Sequence, residues 1–586
     1  MIFDLCVKCL ISNAKIKELF YSYTVLRYLS FMSVRFKHIL IVLLAVSIYS
    51  CKSPYDDLSH LRVFRYNEDG NITSLDPVYA RNQANIWATS QIFNGLVQLD
   101  TLLNVESAIA HAWEISDDGL LYTFYLRNDV FFHSDPVFPD GKGRRVVADD
   151  FVYSLNRLVE PSLNSPGTWV MNAVDRLPDG SLALFAPSDT VFQIRLIEPF
   201  PPMLGLLCMQ YCSVVPHEAV EEYGQEFRSR PVGSGPFHFQ YWKEGVKLVL
   251  LKNQNYFEFD GEERLPYLDA ISISFIIDRQ TAFLEFIKGN LDILTRIDAS
   301  YKDELLTPSG ELQDKYKNRF YKLTGSFLNT EYLGILMDDE NGRQITALKQ
   351  AKVRQAINYG FDRARMLQYL RNNIGTPAHA GFVPVGMPGF YENSGGYTYD
   401  PEKARRLLAE AGFEGGEGLP PVELATTSQY LDISQYIQHE LARIGIKMQI
   451  NVMPPATLRE LMAKGEAGFF RGSWIADYPD AENYLALFYS PNHAPQGPNY
   501  TRFSHPGFDR LYEKSRLVVN DSIRFKYYHQ MDSIIIAEAP VVPLYYDQSI
   551  RFLPHRVKGM QTNPLNHMLL KRVKMENGKR KMETEE

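Results

Sequence analysis

Cysteine is scarce, with five in 586 residues. Cys6 and Cys9 form a lone Cys-x-x-Cys, without the second pair or histidines that zinc spacing requires, so neither a metal nor a redox role follows. Cys208 and Cys212 read equally as buried thiols or as a disulfide. Positive charge is also short: 61 Lys and Arg stand against 69 Asp and Glu, a net charge of -8, which removes nucleic-acid binding from consideration. Gly-x-Ser-x-Gly and His-Glu-x-x-His are both missing, and the 13 histidines are scattered. Asp149 and Asp150 are adjacent and read as a helix start with Asp149 as cap, not as an acid/base pair. An enzyme is therefore not expected, and no cofactor or metal is called for.

Rings are abundant: 35 Tyr, 35 Phe and five Trp make the aromatic fraction 13%. The length is enough for two or three lobes with large cores. One aromatic stretch, residues 468–483, places Arg471, Trp474 and Asp477 within a few residues of one another. Phe469, Phe470 and Trp474 are expected to leave water, and Pro479 ends regular structure soon after Asp477, which puts both charges at the wall of a cleft suited to a zwitterion. The plain alternative is a buried strand edge in which Arg471 and Asp477 pair with each other.

Residues 1–31 show no pattern, whereas Met32 opens a short basic segment followed by the apolar run Ile39–Ser50. That run is well short of the ~20 residues needed to span a bilayer and fits the core of a signal peptide. It resembles a bacterial lipoprotein signal over 32–50, with translation starting at Met32, Cys51 as the lipidated first residue and a tether over 51–60. Leu61–Tyr66 alternates as a strand, Asn71–Pro77 turns into a helix, and Asp118-Gly119 reads as a hairpin turn. Arg230–Phe237 is a glycine and proline loop that lacks Gly-Lys-Ser/Thr, so a structural turn is expected rather than a phosphate loop. Asp400-Pro401 caps a helix that ends near Gly412, and the strand, helix, strand spacing over 422–452 implies parallel strands with a ligand face at their carboxyl ends. Residues 571–586 read as a charged, mobile tail.

Leu75-Asp-Pro, Asn94-Gly-Leu, Asp117-Asp-Gly-Leu, Ala148-Asp-Asp-Phe-Val-Tyr-Ser, Val232-Gly-Ser-Gly-Pro-Phe, Val353-Arg-Gln-Ala-Ile, Tyr399-Asp-Pro-Glu-Lys-Ala and Trp474-Ile-Ala-Asp-Tyr follow one another in order. From about residue 61 to 570 this series resembles the extracellular solute-binding proteins of family 5, the oligopeptide- and dipeptide-binding proteins of ABC transporters. The resemblance implies an α/β, periplasmic-binding-protein-like class II fold of two lobes with hinge crossovers and an inserted third domain. Lobe I would comprise 60–85, 200–325 and 545–570, the inserted domain 86–199, and lobe II 326–544.

It further implies that Asp477 pairs with the ligand's α-amino group and Arg471 with its carboxylate, beside Trp474 and Tyr478. Asn71 and Ile72 match a segment that holds peptide backbone, Trp169 lies near a position lining the cleft, and Gln429 falls where some members place a carboxylate-binding histidine. The implied partners are a peptide, a membrane permease and, through the anchor, the membrane; a monomer in the cell envelope is expected. Relatives use the same cleft for oligosaccharides, metal chelates, haem or opines, which keeps a non-peptide solute as the alternative.

Overall fold

The computed structural model describes residues 61–298, 300–338 and 346–576; the expected signal segment, the tether and Cys51 lie outside them. Three sheets carry the architecture. Val63–Asn67 pairs in parallel with Ala270–Ser274, and Lys247–Lys252 and Phe237–Lys243 follow in antiparallel order to complete a four-stranded sheet. A second sheet, antiparallel throughout, orders Ala110–Ile115, Leu121–Leu126, Val191–Arg195 and Leu184–Ser188. Its first hairpin turns at Gly119, whose φ of +72° suits glycine, as the Asp-Gly signal implies. One apolar cluster runs beneath both sheets, joining Phe64 and Tyr66 to Phe124 and Phe192.

The third sheet has six strands, in the order Thr376–Pro377, Val541–Pro554, Phe320–Ile335, Phe469–Ile475, Val422–Thr426 and Met448–Val452. Val422–Thr426 and Met448–Val452 are parallel. The helix between them, Leu431–Ala442, buries Ile433, Ile437 and Leu441 at four-residue spacing. Alternation along the strands gives this sheet two cores: Leu333, Ile335 and Phe469 face one, Tyr332 and Phe470 the other. Phe320–Ile335 and Val541–Pro554 pair antiparallel from Phe320 opposite Pro554 to Gly334 opposite Val541, and the expected crossings at 325 and 545 fall inside these strands. Among the described residues no helix is long and apolar enough to cross a membrane.

The Gly-Ser-Gly loop is a close backbone approach: Gly235 N donates to Ile92 O at 2.8 Å, and a Cβ on Gly233 would sit 2.1 Å from that oxygen. Cys208 and Cys212 are free thiols, each pushed up by burial.

Two expectations need correction. The helix Ala148–Leu158 is capped by Asp150, not Asp149: Asp150 accepts from Val147 N at 2.9 Å and pairs with Arg144 at 2.7 Å, while Asp149 is exposed. The helix starts early enough that only the third residue can reach back to its cap. Residues 571–576 are not tail, because Lys574–Met575 pairs with Val557–Lys558, Val573 is fully buried and Lys571 meets Glu258 at 2.7 Å. Alternation of apolar and charged side chains there gives a strand with one buried face.

Candidate functional site

The strand Phe469–Ile475 lies between Phe320–Ile335, antiparallel to it, and Val422–Thr426, parallel to it. Its alternate residues divide: Arg471 and Ser473 share a face with Leu333 and Glu331, while Gly472 and Trp474 share the other with Tyr332 and Thr330. Gly472 carries no side chain because a Cβ would lie 2.5 Å from the Tyr332 ring. After Ile475 the chain turns through Asp477 and Pro479 into the short helix Glu482–Leu485.

That helix supplies a residue the sequence does not advertise. Asn483 accepts from Trp474 Nε1 at 2.9 Å and from Asp477 N at 3.3 Å, and its amide nitrogen makes a long contact of 3.5 Å with Asp477 Oδ2. One side chain thus fixes both the indole and the acid. Asp477 is an exposed residue, although protein atoms lie close around its carboxylate. That desolvation pushes its pKa above the ordinary carboxylate value, with Asn483 opposing. Among the described residues it has no cationic partner within ion-pair distance, so the alternative of an Arg471–Asp477 pair does not hold.

Arg471 is engaged elsewhere. Its Nη2 donates to Glu331, and its guanidinium lies 3.4 Å from the centre of the Tyr430 ring. Burial disfavours its charge, but Glu331 and Tyr430 outweigh this and hold the pKa raised. Glu331, itself 3% exposed, also accepts from Tyr430 Oη at 3.3 Å and Asn329 Nδ2 at 3.1 Å. Arg471, expected to meet a ligand carboxylate, is thus held in this ligand-free structure by a carboxylate of the chain. Beside it Arg371 pairs with Asp547 at 2.8 Å, so this corner at the carboxyl end of Val422–Thr426 holds two cations and two anions and is neutral.

The other expected site residues fall in distinct places. Gln429 is exposed in the turn Ser428–Tyr430, next to that corner. Tyr478 is buried in the core beneath the first two sheets, and its hydroxyl donates to Glu482, which also accepts from Tyr512. The side chain expected beside the ligand is here packed into that core. Trp169, 37% exposed, lies 6.1 Å from the Tyr478 ring, ring centre to ring centre. Asn71 is exposed, but Ile72 is 5% exposed with its side chain in the core, which leaves only its backbone to offer.

Two concavities lie away from Asp477. One of about 1170 Å³ is lined by Thr73, Asp76, Tyr79, Tyr153, Arg157 and Arg228 among others; one of about 370 Å³ is lined by Asn94, Cys208, Gln210 and His567 among others. The buried pair Arg157–Asp76 borders the first. Among the described residues no group of three or more His, Cys, Asp or Glu is placed to hold a metal ion.

Several known proteins resemble the chain over most of its length. Heme-binding protein A of Haemophilus influenzae is 28% identical over 82% of this chain and 86% of its own. The dipeptide-binding protein of Escherichia coli is 25% identical over 87% of this chain and 94% of its own. Among solved structures, the periplasmic binding protein DppA from Helicobacter pylori in complex with the peptide STSA superposes with a TM-score of 0.68 at 25% identity, covering 88% of this chain and 98% of that one. These matches show the two-lobed class II fold and neighbours that bind substrates rather than transform them. The model of bacterial extracellular solute-binding proteins, family 5, matches residues 104–496, and the chain belongs to that family.

Proposed function

We propose that the chain captures short peptides outside the cytoplasm, closing its lobes over them and handing them to a membrane permease driven by ATP hydrolysis on another subunit. Asp477 is the observation that carries this reading. A carboxylate at the end of its strand, partly desolvated by nearby protein and, among the described residues, without a cation, is positioned to gain from a ligand ammonium. Closure needs only a modest free-energy bias from contacts to both lobes. A lipid anchor at Cys51 belongs to the same proposal and would keep the receptor at the membrane. The peptide-bound neighbour and the dipeptide-binding relative support a peptide ligand.

Titration calorimetry with trialanine and its N-acetylated form tests the assignment. Trialanine is expected to bind, while N-acetylation or Asp477→Asn abolishes binding. The similarity to a heme-binding protein favours a second reading, a non-peptide solute in the same fold. Absence of binding by any peptide with a free amino terminus, together with haem binding indifferent to Asp477→Asn, would establish that reading instead.

A further inference from the structure

The second and third sheets belong to parts of the chain that closure would bring together, and they already meet at a point away from Asp477. Segment 196–200, which follows the strand Val191–Arg195, is tied to the second sheet and its surroundings at three points. Leu196 N donates to Leu120 O at 2.8 Å, Ile197 N donates to Ala173 O at 2.9 Å, and Phe200 O accepts from Tyr122 Oη at 3.4 Å. Phe200 is 9% exposed and joins the core beneath the first two sheets. Glu198 stands between these anchors, so its backbone has little freedom.

The helix Pro506–Arg516 comes to it from the other side. Phe508 and Tyr512 bury one face of this helix, and Arg516 is its last residue, where the carbonyl end favours a cation. Arg516 Nη2 meets Glu198 Oε1 at 2.9 Å, and the guanidinium lies 5.7 Å from the centre of the Phe200 ring. Three residues later Val519 reaches the first hairpin of the second sheet. A Cβ on Gly119 would lie 3.6 Å from Val519 Cγ2 and 3.2 Å from Pro199, so only a glycine fits there comfortably. A Cβ on Gly205 would likewise lie 3.3 Å from Pro479. Charge and close packing thus act together, while the Arg516 and Glu198 side chains stay 34% and 45% exposed.

We infer that Glu198 and Arg516 form a latch that holds the lobes closed and sets how long a ligand stays, without touching the ligand. The latch rests on the two-lobed closure of the reading above, and on its peptide ligand only for the choice of probe. An exposed ion pair adds little to the stability of a rigid molecule. Here its whole effect falls on the equilibrium between open and closed forms, because the pair exists only where the two parts meet. Its usual strength changes a closed-to-open ratio by up to about fivefold. Release requires opening, so the dissociation rate carries that factor.

Two measurements on the full chain test this in the wild type and in Glu198→Asp, Glu198→Gln and Glu198→Arg: stopped-flow release of trialanine, and small-angle scattering of the ligand-free protein. Release is expected to quicken in that order, by up to about fivefold in Glu198→Gln and further in Glu198→Arg, where two cations face each other. The requirement for Asp477 should be unchanged throughout. The radius of gyration should rise in Glu198→Arg and stay near the wild-type value in Glu198→Asp. Release and radius of gyration that are both unaltered in Glu198→Arg overturn the latch and leave the peptide reading intact. A chain that binds no trialanine, yet expands in Glu198→Arg and not in Glu198→Asp, keeps the latch and removes the peptide reading.

Discussion

Asp477 and Arg471 lie six positions apart and meet opposite fates. Arg471 stands on a strand face where Glu331, 140 residues earlier, comes within hydrogen-bonding distance. Asp477 follows the strand's end, where among the described residues its carboxylate meets the Asn483 amide and no cation within ion-pair distance. Glu331→Gln removes the counter-ion of a largely buried guanidinium, so a loss of about 3 kcal/mol in urea unfolding is expected. Asp477→Asn should act the other way on the ligand-free protein. A raised folded pKa means that the ionised acid costs stability above that pKa and that the cost vanishes as pH falls through it. The variant should therefore melt higher than the wild type near neutral pH while binding no peptide, and the two melting temperatures should converge in acid. The charged residues of the aromatic stretch were legible in the sequence, but Glu331 and Asn483 were not, since neither has a local pattern that marks it.

Local elements were the most legible scale where a chemical reason stands close by in the chain. Asp400 accepts from Lys403 N at 2.8 Å and Pro401 opens the helix, as the cap and proline imply. Asp400→Ala is expected to cost about 1 kcal/mol in thermal or chemical unfolding. The Asp149 assignment failed by a single position, because a cap depends on where the first turn begins and adjacent aspartates do not reveal that. Strand 469–475 shows the reverse dependence, local sequence answering to a distant neighbour. Gly472→Ala would bring a methyl within 2.5 Å of the Tyr332 ring, and a loss of about 1–3 kcal/mol is expected from chemical denaturation.

Across the whole molecule, the helix Asp521–Glu538 contributes Asp532 to an interior where Phe382 N donates to its carboxylate at 2.8 Å. Burial raises its pKa from 3.8 to about 7. Between those values the folded protein binds the proton and the unfolded chain does not, so this group's contribution to stability falls as pH rises toward 7 and is level above it. Asp532→Asn should abolish that slope, which the difference between the two proteins' unfolding free energies over this range would show.

The order of motifs and the alternation of apolar residues determined the family and the two-lobed α/β class, because caps, turns and buried strand faces depend on neighbours close in sequence. Which charges remain available for a ligand was decided only by tertiary structure. A guanidinium or carboxylate is free or occupied according to what strand register brings to it from far along the chain, as Glu331 does for Arg471 from 140 residues away.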